Sequence, residues 1–307
     1  MSSSTSTLRS ATARRRSAVF TRSGAPALAL KAVRWILIAA FLLAVLFPFY
    51  YMFLLSVKPI ESLLRDPGSL VVSAQDFTLK TYAAVLSPTA EGGQGFITLL
   101  QNSAIVALSS VVVALIVAIP GAYAVARLPF FGRRQINTLF VATYLFPAIV
   151  VAIPLFVLFT RIGLRGSLVG LILVYTAQTV PVAIYMLRNY FDTVPVSIEE
   201  AGLMDGLSRL GILWRITLPL SLPSVVATGL FVFMIAWNEF LFALLFLIDK
   251  REYWTVSLGL SRLAGNIEVP TTVLMAGSVV LTLPIIIVFF LTERLLTGGL
   301  TAGADKG

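Results

Sequence analysis

The sequence predicts an all-α polytopic membrane protein of six transmembrane helices, with both ends of the chain on the cytoplasmic side. Three observations carry that expectation. Of 307 residues, 58% are hydrophobic and only 12% are charged, with a mean hydropathy of +0.94, the balance of a chain that must present apolar side chains to lipid. Six apolar runs are long enough to cross a hydrocarbon core, which takes about 20 helical residues. The basic residues are also spread unevenly over the segments between those runs.

Residues 1–28 are rich in Ser, Thr, Ala and Arg and lack apolar periodicity, so a disordered basic arm is expected there. Arg14-Arg15-Arg16 is not followed closely by a cleavable apolar segment, which favours a topology anchor over a twin-arginine or transit signal. The membrane domain is expected over 29–297. Its first run, 33–55, ends in the interfacial aromatics Phe49, Tyr50, Tyr51 and Phe53. A polar stretch with turn signals at Pro67-Gly68 and Gly92-Gly93 leads to a second run, 100–124, and a third, 136–159. The fourth covers 168–187, the fifth 224–247 and the sixth 272–291. The loop at 248–269 is longer than a simple turn between spans requires.

With the N-terminus inside, fifteen of the 23 Lys and Arg residues fall in cytoplasmic segments and eight in outer ones. This obeys the positive-inside rule. The net charge of +9 then resides almost wholly on the inner side, facing anionic lipid headgroups, and calls for no nucleic-acid partner. There is no Cys and no His, which removes disulfides, thiol nucleophiles, imidazole bases and the common zinc sites. The phosphate-cradling pattern G-x-x-x-x-G-K-[ST] is also missing, so the chain does not hold ATP by that route.

The polar stretch at 193–222, caught between the fourth and fifth runs, is expected to form a helix–turn–helix elbow. Ser197 with Glu200 offers a capping box for the first helix. Asp205-Gly206 is a stop, because Gly takes the left-handed conformation at low steric cost. Ser208 is placed to cap a second helix carrying Ile212, Leu213, Trp214 and Ile216 towards Pro219.

The order Glu200-Ala201-Gly202, Asp205-Gly206, Ile216-x-Leu218-Pro219 resembles the EAA loop of permease subunits in binding-protein-dependent ABC importers. Gly202 and Leu207 stand where that pattern usually has Ala. The resemblance implies that this cytoplasmic loop holds the coupling helix, which docks into a cleft on an ATPase subunit. Glu200, Ala201, Gly202, Asp205, Gly206, Ile216, Leu218 and Pro219 are its expected coupling residues.

Within the fifth run, Trp237-Asn238-Glu239-Phe240 resembles a motif of the sugar-importing branch of these permeases. An ionisable side chain in a span usually faces a cavity or a partner. Glu239 therefore points either to a cavity or subunit interface, or, from the outer part of the run, to the headgroup region. Tyr144, Gln178 and Asn238 are further candidates for the translocation path or subunit interface. Prolines 120, 147, 154, 181 and 284 interrupt the runs, as helices bent around a path would require, although membrane helices are commonly enriched in proline.

The closing segment, 298–307, is too Gly-rich and too short to fold alone. It resembles the tail of the maltose-type permease subunit, which reaches between two ATPase subunits; Asp305 departs from the apolar residue usual there. Gly299, Leu300, Thr301, Gly303 and Lys306 are the implied ATPase contacts. The resemblance extends over nearly everything after the arm. It implies a multi-pass subunit of a bacterial-type inner membrane, carrying a mono- or oligosaccharide and working with a second related permease, two ATPase subunits and an extracytoplasmic solute-binding protein. No cofactor is expected on this chain, with ATP and Mg on the ATPase partners. The alternative is a self-sufficient secondary carrier or channel for a small polar solute. That class should show midplane charge relays or discontinuous helices in repeated halves, and the sequence offers one intramembrane carboxylate and no evident repeat.

Overall fold

The computed structural model describes the backbone of residues 24–144 and 147–304, with side chains over 28–296 except at positions 134, 137, 141, 143 and 144. Every regular element among the described residues is helical. Two compact units are distinguished, 1–50 and 51–307.

The first unit is carried by helix α1, Gly24–Ser56. It begins inside the stretch expected to be a disordered arm, because Ala and Leu dominate from Ala25 onward and Pro26 lies in the first turn, where its missing N–H has no helical partner to lose. Residues 1–23 of that arm lie outside the described residues. Trp35, Leu37, Phe41 and Leu43 are all strongly exposed along α1, as side chains against lipid would be.

The second unit is built on α4, Phe96–Arg127. It lies most extensively against α7, Leu168–Phe191, then against α11, Leu222–Asn238. The last helix, α14, Thr271–Ala304, packs on α11. Water does not drive helices together in lipid, so close backbone approach has to. The buried stripe Ser103, Ala107, Ser110, Ala114, Ala118, Ala122 and Ala126 supplies that smooth face on α4 at three- and four-residue spacing.

Two apolar clusters divide this unit. One gathers Phe96, Leu99, Tyr175, Trp237, Phe242 and Phe246. The other gathers Ala118, Ala122, Tyr123, Leu187, Phe191, Ile212 and Leu213 around the elbow. Short helices occupy the connections: α2, Ile60–Arg65, and α3, Lys80–Leu86, in the polar stretch after the first run, and α13, Val256–Ala264, in the long loop before α14. In the first of these connections Gly92 sits at φ 82°, and a Cβ on Gly93 would lie 2.2 Å from the Ser87 carbonyl oxygen, so the glycine turn expected there is obligatory.

The six expected runs are not six unbroken helices. Among the described residues, four helices are individually long and apolar enough to cross a membrane, and a fifth span arises if the bent pair Arg209–Leu220 and Leu222–Asn238, which meet at 82°, is taken as one. The third run is divided into α5, Arg133–Tyr144, and α6, Ala148–Arg161, the latter starting on Pro147. The fifth run is divided into α11 and α12, Leu241–Leu247, with the break at Glu239 and Phe240. By contrast Pro120, Pro154, Pro181 and Pro284 stay inside continuous helices. At the C-terminus the backbone of α14 runs on to Ala304, so the Gly-rich tail begins as a continuation of the last span and not as a separate segment.

Candidate functional site: the elbow and its anchor

The elbow consists of α8, Val196–Met204; α9, Arg209–Ile212; a widened π-turn over Leu213–Thr217; and α10, Leu218–Leu220. Its punctuation matches the sequence at two points. Gly206 takes φ 83° directly after α8, and the Ser208 hydroxyl accepts the Gly211 N–H at 3.1 Å to open α9.

It departs at a third. Helix α8 starts on Pro195, whose φ of −60° is already helical, and no side chain caps it. Ser197 is therefore inside the helix and makes no capping box with Glu200. Glu200 is exposed, and it is the neighbouring Glu199 that is buried, at 1% exposure. Adjacent helical residues diverge by about 100° around the axis, so only one of the two can face inward.

Glu199 is the centre of a buried polar cluster. Arg127, the last residue of α4, donates from Nε to Glu199 Oε1 at 3.0 Å. Thr217 donates its hydroxyl to the same oxygen at 3.0 Å, and the Tyr123 hydroxyl approaches Oε2 at 3.4 Å. The guanidinium continues outward: its Nη2 donates to the carbonyls of Phe191 and Val194 at 2.6 and 2.7 Å, and Nη1 lies 4.0 Å from Asp192. Asp192 is held in turn by Arg188 at 3.1 Å. The guanidinium thus joins the end of α4, the end of α7 and the start of the elbow, and the Glu199 carboxylate adds the π-turn through Thr217. A buried charge pair is costly unless its polar atoms are satisfied; here both carboxylate oxygens and the Nε and Nη2 of the guanidinium have hydrogen-bond partners, while Arg188 Nε beside them is buried without one among the described residues.

Packing closes the inner face. Gly202 is buried between Ile216, Leu207 and Ile212, and a Cβ there would stand 2.7 Å from the end of the Ile216 side chain. The glycine standing in place of alanine therefore lets α8 lie directly on the π-turn. Ile216 and Leu218 are half-buried, whereas Ala201, Asp205, Gly206 and Pro219 are exposed along with Glu200. The outer face is apolar as well as charged: Met204 is 89%, Leu210 65% and Trp214 54% exposed, among Glu200, Asp205, Arg209 and Arg215. An exposed apolar patch rimmed by charge is the signature of a docking surface.

The second group of candidate residues lies elsewhere, in the other apolar cluster. Glu239 is half-buried and has partners within the chain. Its carboxylate receives the Tyr175 hydroxyl at 2.5 Å and the Phe242 N–H at 2.9 Å, with the Ala243 N–H at 3.4 Å, so it caps the helix that restarts after the break. Its own carbonyl accepts the Ser257 hydroxyl at 2.7 Å. Asn238 is exposed and donates back to the Met234 carbonyl at 2.9 Å. Gln178 is half-buried, and its Nε2 has no hydrogen-bond partner among the described residues. The side chains of Tyr144, Leu300 and Thr301, the surroundings of Gly299 and Gly303, and the whole of Lys306 lie outside what the structure describes. Glu239→Gln retains the acceptor oxygen and is expected to keep most transport. Glu239→Leu strands the amides of α12, at a cost of about 1–3 kcal/mol, and is expected to lose it. Uptake as poor in the Gln variant as in the Leu variant would mean that the charge itself is needed.

A family model described as binding-protein-dependent transport system inner membrane component matches residues 110–298, which span the elbow, its anchor and Glu239. The chain belongs to this family. The permease is 39% identical to the inner membrane ABC transporter permease protein YcjP of Escherichia coli, over 88% of this chain and 94% of that one. It is 37% identical to the trehalose/maltose transport system permease protein MalG of Thermococcus litoralis, over 89% and 96%. A crystal structure of a bacterial ABC transporter involved in the import of the acidic polysaccharide alginate superposes with a TM-score of 0.74 at 26% identity, covering 90% of this permease and 98% of that chain. This permease is accordingly a transport component of a binding-protein-dependent importer and not an enzyme.

Sequence reasoning found the elbow and missed its anchor. The available signals were the Glu199-Glu200 pair, of which one member had to turn inward, and Arg127 at the end of an apolar run otherwise free of charge.

Proposed function

We propose that this permease is one of a pair of membrane subunits of an ATP-driven saccharide importer, with the elbow as the surface that an ATPase subunit grips. The observation that carries this reading is the elbow's two-sidedness. Its inner face is tied by Arg127 and Glu199 to two spans, while its outer face offers Met204, Leu210 and Trp214 among charges. A surface free to dock yet fixed to α4 and α7 converts movement of a docked partner into movement of helices.

In this reading the chain crosses the membrane six times, with the divided third and fifth runs each counted once, and both ends and the elbow are cytoplasmic. ATP and Mg sit on two separate ATPase subunits, and a solute-binding protein delivers the solute from outside. The Gly-rich tail extends from α14 towards the ATPase subunits. A mono- or oligosaccharide is the solute class, supported by relatives named for trehalose, maltose and diacetylchitobiose.

Reconstitution tests the reading directly. Vesicles carrying the complete set of permease, ATPase and solute-binding subunits are expected to accumulate labelled saccharide only with ATP. This permease alone is expected to accumulate none. Uptake by the lone chain would restore the secondary-carrier reading.

A further inference from the structure

Between α4 and α5 the chain makes a turn that neither the elbow nor Glu239 uses. Helix α4 carries no charge before Arg127, its last residue. The backbone then leaves the helix at Leu128, with φ −91° and ψ 136°, and α5 begins at Arg133. The residues between are Leu128-Pro129-Phe130-Phe131-Gly132. Phe131 is 100% exposed and Phe130 38%, and Pro129 is exposed beside them. These rings lie past the charge that ends the apolar run, on a projecting turn and not along the side of a span.

The turn is built to keep them there. Gly132 takes φ 86°, and a Cβ on it would meet nothing within 4 Å, so the turn stands clear of the rest of the chain. The Ile136 N–H donates to the Gly132 carbonyl at 2.9 Å and starts α5. Arg133 reaches back, its Nε donating to the Val125 carbonyl at 2.5 Å and its Nη2 to the Ala126 carbonyl at 2.7 Å. Those carbonyls belong to the last turn of α4 and have no helical donor of their own. One side chain therefore ties the turn to α4 and fixes its direction.

The charge around the rings is of one sign. Among the described residues Arg133 has no acidic partner within 4.0 Å, and Arg134 follows it in the chain. No Asp or Glu occurs between Glu91 and Asp192. Asp192 and Glu199, which approach the end of α4, are already held by Arg188 and Arg127. Exposed aromatic rings beside unneutralised arginines match the boundary between acyl chains and anionic headgroups. The rings enter the apolar side, and the positive charge meets phosphate.

We infer that the 128–133 turn is a membrane-surface anchor, seating Phe130 and Phe131 among the acyl chains of anionic lipids, with Arg133 supplying charge towards their phosphates. That the leaflet is the inner one rests on the importer reading, in which the end of α4 is cytoplasmic; the lipid contact does not.

The chain contains no Cys, so F131C alone places a spin label on the turn. The permease is reconstituted in nanodiscs, with cysteine-free partner subunits added as required. Depth is read from collisions with oxygen against collisions with a water-soluble nickel chelate. In an equal mixture of phosphatidylglycerol and phosphatidylcholine the label at 131 is expected about 5 Å below the phosphates. It should lie shallower in phosphatidylcholine alone. It should also rise in the mixture when about 1 M salt shortens the Debye length to about 3 Å. M204C, on the exposed face of the elbow, is the aqueous control: open to the chelate before ATPase subunits are added and shielded afterwards. A 131 label as open to the chelate as the 204 label overturns the proposal. So does a 131 label shielded only when ATPase subunits are added, which would make the turn part of their docking surface. Equal depth in the two lipid compositions overturns the assignment to anionic headgroups. ATPase subunits that leave the 204 label open count against the importer reading and leave the lipid contact standing.

Discussion

Replacing Arg127 with alanine is expected to destabilise the protein by about 3–5 kcal/mol and to uncouple ATP hydrolysis from transport. The side chain satisfies the Glu199 carboxylate and two backbone carbonyls at the end of α7, and is itself only 9% exposed. Without it a carboxylate that is 2% exposed keeps only the Thr217 and Tyr123 hydroxyls. Arg127→Lys keeps charge but not the fork that spans α7 and α8 at once, so it should recover stability incompletely. The informative variant is the double replacement Arg127→Met with Glu199→Leu. Apolar residues of similar volume are often as stable as a buried pair, so thermal unfolding of the detergent-solubilised protein should return towards wild type. Transport per ATP should not, because the bonds joining the elbow to α4 and α7 are gone. Wild-type coupling in the double variant would reduce the cluster to a packing element.

Gly206→Pro is expected to abolish transport while leaving membrane insertion intact. Gly206 lies at φ 83° and donates its N–H to the Leu203 carbonyl at 3.0 Å. Proline fixes φ near −65° and has no N–H, so α8 and α9 cannot keep their present angle; the cost is about 3 kcal/mol or more, confined to the turn. Gly206→Ala keeps the donor and incurs only the left-handed penalty of about 1–2 kcal/mol, so it should retain part of the activity. Saccharide uptake and ATPase stimulation in vesicles, compared at equal membrane content, would show this. Normal uptake by the proline variant would mean that the elbow does not act as a lever.

The fold class was legible because it rests on composition and on run length, which no tertiary contact alters. The elbow's turns were legible for a similar reason, since Gly206 and Ser208 act within one turn of chain. The capping box failed because the outcome depended on a partner far away in sequence. Glu199 and Glu200 are indistinguishable locally, and only Arg127, 72 positions earlier, selects which one is buried. The partners of Glu239 were not legible either, because an apolar run does not reveal that its helix breaks there. Once α12 restarts, the carboxylate is the cap that the new helix needs, with Tyr175 from α7 completing it. Pro147 was visible as a break in the third run, yet hydropathy alone joined the pieces on either side of it.

Helix α4 has a further consequence as a measuring rod. Near its start, Asn102 and Ser103 grip the backbone of the segment that carries Arg251 and Trp254; at its end, Tyr123 and Arg127 grip Glu199. The two grips are about 35 Å apart along one helix, and a rigid tilt of about 10° displaces one against the other by about 6 Å. A helix whose packing face is alanine and serine has little side chain to deform and absorb that displacement. On the proposed importer reading, a partner at one end that favours one tilt of α4 would change the affinity at the other end, and the second partner would change the first's by the same factor. On that reading, the strength of binding at one end of α4 would therefore report on the state of the other end, without any solute in between.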